Sequence, residues 1–323
     1  MFSHSAVNRT VTLLLSMLVM AALWGLGTLS DADLPPVAYT FLTSVFLLDI
    51  NSFSDRVRLT LQMTGYAAAV QFIFSITGEV ACLQIILSAA AAYYVFLTLP
   101  DHRAGCIVLL TGYMVFSASP GFLPAVERCF NIFIGSIVIL VITSIANAGR
   151  SSRAATQFQL LRCSPRQALR SAAELGIGTA IFKLLQIQQG AWIMLTILFI
   201  NMSSSDNMSR EKLAWQRIVA VPIGIIAGGV ILSAFSRIDP RLLWLIPFIG
   251  ASGFFILYDN GDFFMFSVIF MVTLTFFSDL MKGAYHSFDF RETLLSRTIS
   301  TLLGAVLILL LPMHKQSKEK ESA

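Results

Sequence analysis

The sequence AYTFLTSVF at residues 38–46 returns as AWIMLTILF at residues 191–199. The two stretches share, in register, an alanine, an aromatic residue, a leucine, a threonine and a phenylalanine. Both belong to apolar runs of a kind that recurs from one end of the chain to the other. A polytopic membrane sequence that is written twice is typical of a transporter.

A second feature is duplicated with the first. An arginine heads an apolar run and is followed seven residues later by a glycine in four places: Arg58/Gly65, Arg128/Gly135, Arg217/Gly224 and Arg297/Gly304. Seven residues are almost two helical turns, so each glycine lies on the face of its arginine, roughly 10 Å deeper. A small residue there lets a neighbouring helix approach or leaves room for a ligand.

The composition is that of an integral membrane protein. Of 323 residues, 56% are hydrophobic and 12% are charged, and such a charged fraction is about half that of a soluble domain. We predict an all-α fold with about twelve transmembrane helices in two parallel six-helix repeats. The predicted spans are residues 10–29, 35–50, 59–78, 80–99, 104–119, 127–147, 168–187, 189–203, 216–236, 242–257, 262–281 and 294–312. Arg9 before the first run also fits a signal peptide, but residues 168–187 occupy the same place in the second half, which favours a span.

The basic residues predict the topology. With twelve spans and the amino terminus inside, six Lys and Arg residues lie outside, Lys183 lies within a span, and the other fifteen of the 22 lie inside. The six outer residues are Arg128, Arg237, Arg241, Lys282, Arg291 and Arg297. This asymmetry predicts a multi-pass membrane protein with both termini in the cytoplasm. The net charge of +4 reflects that topology, and no feature supports nucleic-acid binding.

One segment separates two halves of equal organisation. Residues 148–167 are rich in serine and arginine. We therefore predict a first transmembrane repeat at residues 1–147, a basic cytoplasmic linker at residues 148–167, and a second repeat at residues 168–323 with a short charged tail. Because six spans precede the linker, the second half enters the membrane in the same orientation, and the repeats are parallel.

The second and eighth predicted spans are short and occupy corresponding positions. Pro35 and Pro36 open the second, and Gly190 opens the eighth. Paired short segments bounded by Gly or Pro indicate a central binding site in a transporter. We predict that their matched residues contact substrate: Tyr39, Thr43, Trp192 and Thr196. The alternative is that each threonine bonds its own helix and each aromatic residue anchors the membrane interface.

The four arginines are also predicted to bind substrate. Arg58 and Arg217 fall at the inner ends of their helices. Arg128 and Arg297 fall at the outer ends, so that a basic pair stands at each mouth of a path. Guanidinium groups form bidentate bonds with carboxylates, which favours organic anions. Interfacial snorkelling is an alternative for the inner pair, but it does not account for the outer pair.

Lys183 is the one basic residue well inside an apolar run, and an intramembrane charge is a functional candidate. Gln186, Gln188 and Gln189 follow it closely, so an outward-snorkelling lysine is equally compatible with the sequence. Five carboxylates are candidates for proton coupling, and none repeats between the halves: Asp49, Glu79, Glu174, Asp262 and Asp279.

Other classes of function lack their motifs. No phosphate-binding loop ending in GK[ST] is present, so the chain does not hydrolyse ATP itself. It has no HExxH motif and no nucleophile elbow. The four cysteines and four histidines lack metal-ligand spacing. We predict neither an enzyme nor a cofactor nor a metal site.

These motifs together resemble a known family. AWIMLT at residues 191–196, Arg217 with Gly224, and RTISTLLG at residues 297–304 are similar to the fusaric acid resistance and aromatic acid exporter family. The further matching positions are PRQALR at residues 165–170, Thr273 with Thr275, and RET at residues 291–293. The likeness extends over essentially the whole chain and is clearest in the second half.

The resemblance implies an inner-membrane exporter of aromatic or other organic acids that works with a periplasmic adaptor of the HlyD membrane-fusion type. The broader superfamily includes plant aluminium-activated malate channels, in which six-helix subunits pair around a basic anion pathway, and this chain would be a fused pair. Many bacterial relatives carry a large cytoplasmic domain between the halves. Here only residues 148–167 stand in that place, so this is a short form.

The sequence thus predicts an efflux transporter for small organic acid anions, aromatic ones above all. Its expected partners are the anion, membrane lipids and the adaptor, and the oligomeric state stays open. A passive anion channel that uses the same arginines is one alternative, favoured by flux that ignores a proton gradient. A non-transporting membrane scaffold or assembly partner is another, favoured if the arginines can be replaced without effect.

Overall fold

The computed structural model describes residues 34–48, 50, 52–77, 80–117, 121–147, 162–187, 190–204, 209–235, 263–281 and 290–311. Within these ranges every regular element is a helix. The α-helices are α1 (Leu34–Leu47), α2 (Phe53–Ile76), α3 (Ala81–Thr98), α4 (His102–Met114), α5 (Phe122–Asn147), α6 (Pro165–Leu184), α7 (Ala191–Ser203), α8 (Arg210–Phe235), α9 (Phe263–Met281) and α10 (Phe290–Leu310). A short 3-10 helix, Val115–Ser117, continues α4.

These helices confirm the all-α prediction and fall at ten of the twelve predicted spans. The predicted spans at residues 10–29 and 242–257 lie outside the described residues. In the described part of the chain, four helices are long and apolar enough to cross a membrane: Phe53–Ile76, Ala81–Thr98, Phe122–Ile145 and Arg210–Ile231. The chain is a multi-pass membrane protein, whereas the count of twelve spans stays a prediction.

Several helices begin earlier than their apolar runs because polar residues cap them. The Ser52 hydroxyl accepts a hydrogen bond from the Asp55 amide at the start of α2. Ser164 and Gln167 form a capping box at the start of α6, with Pro165 as its first residue. The helix therefore begins inside the predicted linker, three residues before the predicted start at residue 168.

The early starts correct the predicted position of the arginines. Arg217 lies two turns inside α8, which begins at Arg210, and Arg297 lies two turns inside α10. The helix dipole acts mainly within the first turn. These cations are therefore placed by what they contact across the bundle, and the end of the helix has little effect on them.

The short helix α7 lies in the centre of the described bundle. Its thirteen residues extend only about 20 Å, which is less than the thickness of a bilayer core. Every residue from Ala191 to Asn201 is buried, and helices α4, α6, α8 and α10 pack around it. By contrast, the longer helices expose large apolar side chains such as Leu61, Ile86 and Ile137, as a lipid-facing surface requires.

Matching glycines pack on matching places of the two short helices. A Cβ added at Gly135 of α5 would collide with the Thr40 hydroxyl of α1. A Cβ added at Gly304 of α10 would lie 2.7 Å from the Ile193 carbonyl oxygen of α7. Thr40 and Ile193 are corresponding positions of the doubled motif. In both halves, therefore, the glycine lets a long helix approach the backbone or a side chain of a short one.

The halves also contact each other through hydroxyl groups. Ser88 Oγ of α3 lies 2.7 Å from Thr179 Oγ1 of α6 and 2.7 Å from the Tyr113 hydroxyl of α4. Beside them, a Cβ at Gly176 would lie 3.1 Å from Ala89 Cβ. Close backbone approach with buried hydroxyl bonds is a common way for membrane helices to pack.

Candidate two-arginine site on helix α7

One face of α7 carries two aromatic rings with a hydroxyl between them. Trp192, Thr196 and Phe199 are spaced four and three residues apart, so the 3.6-residue period places them on the same side of the helix. All three are buried. The two rings are about 10 Å apart along the helix axis. We call these three residues the α7 face.

Arg217 of α8 contacts the Phe199 ring of this face. Its guanidinium carbon lies 4.9 Å from the centre of the Phe199 ring and 5.6 Å from that of Phe270 in α9. Its Nη1 donates to the Ser267 hydroxyl at 3.2 Å. Gly224, two turns on, makes the approach of α9 possible, because a Cβ there would lie 2.7 Å from the Val268 carbonyl oxygen.

Arg217 is a buried cation with incomplete hydrogen bonding. It is 0% exposed, and its Nε and Nη2 have no hydrogen-bond partner among the described residues. The ion pairs of the described chain do not include it either. A cation–π contact contributes roughly 2 kcal/mol when desolvated, whereas burying an uncompensated charge costs several kcal/mol. The arrangement therefore favours an anion beside these two N–H groups.

Arg297 of α10 covers the Trp192 ring of the α7 face. It is 5% exposed, and its guanidinium carbon lies 5.1 Å from the centre of the Trp192 ring. The structure thus brings together the predicted residues Arg297, Trp192 and Thr196. Gly304 of α10 packs on Thr196 of α7 in the same pair of helices.

Thr196 lies between the two arginine-covered rings. Its hydroxyl is buried and has no hydrogen-bond partner within the described ranges. The same is true of the Ser300 and Thr301 hydroxyls, one turn after Arg297 in α10. The alternative in which Thr196 bonds its own helix carbonyl does not occur. Buried hydroxyls are normally satisfied, so this cluster has unused donors and acceptors for a ligand.

The first-half residues are arranged differently. The Tyr39 hydroxyl lies 3.1 Å from Thr64 Oγ1, which lies 2.6 Å from Ser136 Oγ, so this ring is held in a hydroxyl chain. Thr43 is buried beside it on α1. Arg128 is buried and donates to the Ser75 hydroxyl at 2.8 Å.

Arg58 and Lys183 were also predicted to bind substrate, but their described contacts are not with the α7 face. Arg58 is exposed on α2, and its partner Gly65 has nothing within 4 Å of an added Cβ. Lys183 is partly buried at the end of α6, with Nζ 4.6 Å from the centre of the Phe182 ring and 5.2 Å from that of Phe116. A substrate role for both stays a prediction.

Sequence reasoning did not select three residues of the site: Phe199, Ser267 and Phe270. Phe199 had a usable signal, because it is the last shared residue of the doubled motif. Ser267 and Phe270 had none, since they stand in a phenylalanine-rich helix where no periodicity distinguishes them. Of the five candidate carboxylates, Asp49, Glu79 and Asp262 lie outside the described residues, as does the side chain of Asp279. Among the described residues no group of His, Cys, Asp and Glu could hold a metal ion.

Comparison with known proteins gives one match. Residues 177–311 match the family model described as fusaric acid resistance protein-like. The matched range begins within α6 and ends after α10, and it contains both arginines of the site and the whole α7 face. Searches of curated proteins and of solved structures returned no match.

Proposed function

Residues 177–311 belong to the fusaric acid resistance protein-like family, and from this premise we propose that the chain exports small organic acid anions across the bacterial inner membrane. The anion binds on the α7 face between Arg217 and Arg297. The family match supports transport and resistance in general terms. The substrate class rests on the chemistry of the site.

The observation that carries the proposal is the state of Arg217. Its two buried N–H groups, Nε and Nη2, lack partners in the described chain, and both lie in the plane of one guanidinium. A carboxylate has two oxygens and matches such an edge bidentately. Binding a carboxylate there neutralises the buried cation and removes two unsatisfied donors at once.

The rings favour aromatic acids among the carboxylates. Phe199 and Phe270 flank Arg217, and Trp192 stands at the other end of the face. A planar ring bound beside them gains stacking or edge contacts of about 1 kcal/mol beyond the area it buries. The Thr196 hydroxyl between the rings can bond a carboxylate or a phenolic group.

The proposed architecture has twelve spans in two parallel repeats with both termini cytoplasmic. The matched packing of Gly135 on Thr40 and of Gly304 on Ile193 supports the duplication. The contacts of Glu174 with Asn201 and Arg210 fit the alternating helix directions of this topology, because they join the first half of α6, the end of α7 and the start of α8. A periplasmic adaptor of the HlyD type, taken from the family resemblance, is the proposed partner for passage beyond the inner membrane.

Export of benzoate from preloaded cells that lack other exporters tests the function. Arg217→Gln removes the cation while keeping a polar side chain, and we expect it to abolish export above background. Lys212→Gln is the matched control, because Lys212 is an exposed cation on the same helix, and we expect export at the wild-type rate. Equal export by the wild type and by Arg217→Gln would refute the site.

The same cells separate the two alternative functions. Export that continues unchanged after the proton gradient is collapsed would indicate a passive channel. Wild-type cells that lose benzoate no faster than cells without the protein would indicate a scaffold. In the second case the site would still be testable by direct binding to the purified protein.

A further inference from the structure

A buried carboxylate stands at the inner end of the bundle, outside the α7 face. Glu174 of α6 is 0% exposed, and it is surrounded by groups from three helices. Arg170 Nε donates to its Oε1 at 2.9 Å, and Arg210 Nη2 of α8 lies 2.9 Å from Oε1 and 2.7 Å from Oε2. Asn201 Nδ2 of α7 reaches Oε2 at 3.5 Å. We call Arg170, Glu174 and Arg210 the inner triad.

The inner triad carries more positive than negative charge. Two guanidiniums share one carboxylate, so the group has a net charge of +1. Asp101, which caps the start of α4, forms an ion pair with Arg103 of α4 at 3.2 Å. Both arginines of the triad are largely buried, with exposed side-chain fractions of 17% for Arg170 and 12% for Arg210. A buried excess charge is costly unless an anion compensates it.

The hydrogen bonding of the triad is also incomplete. Arg170 Nη1 and Arg210 Nε are buried and have no partner within the described residues. Arg210 uses a single nitrogen, Nη2, for both oxygens of Glu174. A guanidinium normally presents two nitrogens to a carboxylate in a fork. Glu174 therefore engages only one of the two nitrogens that Arg210 could present to a carboxylate.

The position of the triad continues the path of the first site. Arg210 precedes Arg217 by seven residues on α8, so the two arginines lie on the same face of that helix, about 10 Å apart along its axis. An anion that leaves the triad toward the outer side would next meet Arg217. The predicted topology places the triad on the cytoplasmic side, where an exported anion arrives.

We propose that Arg170 and Arg210 form a second carboxylate-binding site, in which Glu174 is the built-in ligand that an incoming organic carboxylate displaces from Arg210. This inference rests on the proposed function, because it adds a second anion-binding site, on the cytoplasmic side, to the same transport path. The exchange breaks no covalent bond. One carboxylate replaces another on the same guanidinium, so Arg210 has a carboxylate partner before and after the exchange. Glu174 keeps Arg170, which also donates to the Leu311 carbonyl oxygen at the end of α10.

Equilibrium dialysis of radiolabelled benzoate against the purified full chain in detergent tests this site. The Arg217→Gln background removes the first site, so any remaining binding reports on the inner one. We expect Arg217→Gln to retain weak binding of about one benzoate per chain. Adding Glu174→Gln should strengthen that binding about tenfold, because the competing carboxylate is gone. Adding Arg210→Gln should abolish it.

Glu211→Gln is the matched control, since Glu211 is exposed and adjacent to Arg210, and binding should equal that of the background. If the Arg210→Gln chain aggregates, Arg210→Lys keeps the charge opposite Glu174 but lacks the fork, and should bind several-fold more weakly. The inference is overturned if Glu174→Gln binds no tighter than the background, or if both Arg210 variants bind as well as it does. Failure of the Arg217 proposal gives a different result, namely equal binding by the wild type and by Arg217→Gln.

Discussion

The guanidinium carbon of Arg297 lies 5.1 Å from the centre of the indole ring of Trp192. The two residues come from different helices, α10 and α7, and each was singled out by a separate duplicated pattern. Their contact joins the arginine–glycine pattern to the motif of the short helices. It also bounds the α7 face at its Trp192 end, and Arg217 on Phe199 bounds the other end.

Trp192→Ala should weaken export of aromatic acids more than that of aliphatic acids of the same charge. Removal of the ring takes away a stacking partner worth about 1 kcal/mol, or roughly a several-fold change in affinity. The measurement is growth inhibition by benzoate and by hexanoate in a strain that lacks other exporters. Trp192→Phe keeps a ring and serves as the control. An equal loss for both acids would mean that Trp192 only packs the helices.

Gly304→Ala should destabilise the protein by about 1–3 kcal/mol, the usual cost of overpacking. The added methyl group would lie 2.7 Å from the Ile193 carbonyl oxygen and 3.0 Å from Thr196 Cβ, both on the short helix. Gly65→Ala is the matched control, because nothing lies within 4 Å of a Cβ at Gly65. Alanine there should be neutral or slightly stabilising in a helix. Thermal unfolding in detergent compares the two variants, and equal midpoints would contradict the close packing of α10 on α7.

The double variant Arg128→Lys, Arg297→Lys should lower benzoate export although the charge is kept. Lysine cannot offer the planar fork to a carboxylate. At residue 128 it would also have to replace the bond to the Ser75 hydroxyl. Arg166→Lys, at an exposed arginine of α6, should export normally. Wild-type export by the double variant would indicate that the outer pair only snorkels.

Ser164→Cys and Ser209→Cys should react with a membrane-impermeant thiol reagent only from the cytoplasmic side. Phe122→Cys should react only from the periplasmic side. All three positions are exposed, and the predicted topology places them at opposite ends of their helices. The labelling uses a chain whose four native cysteines are replaced by serine. Labelling of Ser209→Cys from the periplasm would reverse the topology.

Much of the fold could be predicted because apolar runs, and the polar, Gly and Pro residues that separate them, determine where membrane helices form. The ten described α-helices match predicted spans, and the short helix at Ala191–Ser203 is found where the doubled motif places it. The helix starts were predicted less well. Capping by Ser52 and Ser164 extends helices beyond the apolar residues, and hydropathy does not detect such polar first turns.

The site could be predicted only where the pattern repeats. Arg217, Arg297, Trp192 and Thr196 were selected from the sequence because each has a counterpart in the other half, and their role as a site stays a prediction. Ser267 and Phe270 of α9 approach Arg217 through tertiary packing over Gly224, and a sequence pattern does not show which helix fills that space. The counterparts Tyr39 and Trp192 also differ in environment, because the Tyr39 hydroxyl lies in a chain of hydroxyl groups whereas the Trp192 ring lies under Arg297.

The affinity of the purified protein for benzoate, compared between the wild type and Arg217→Lys, tests the central claim most directly. A charge-assisted bidentate bond contributes about 1.5–3 kcal/mol, so the lysine variant should bind at the tighter site roughly tenfold or more weakly. Benzamide, which has no carboxylate, should bind weakly to both proteins. Equal benzoate affinity in the wild type and in Arg217→Lys would contradict a carboxylate site at Arg217.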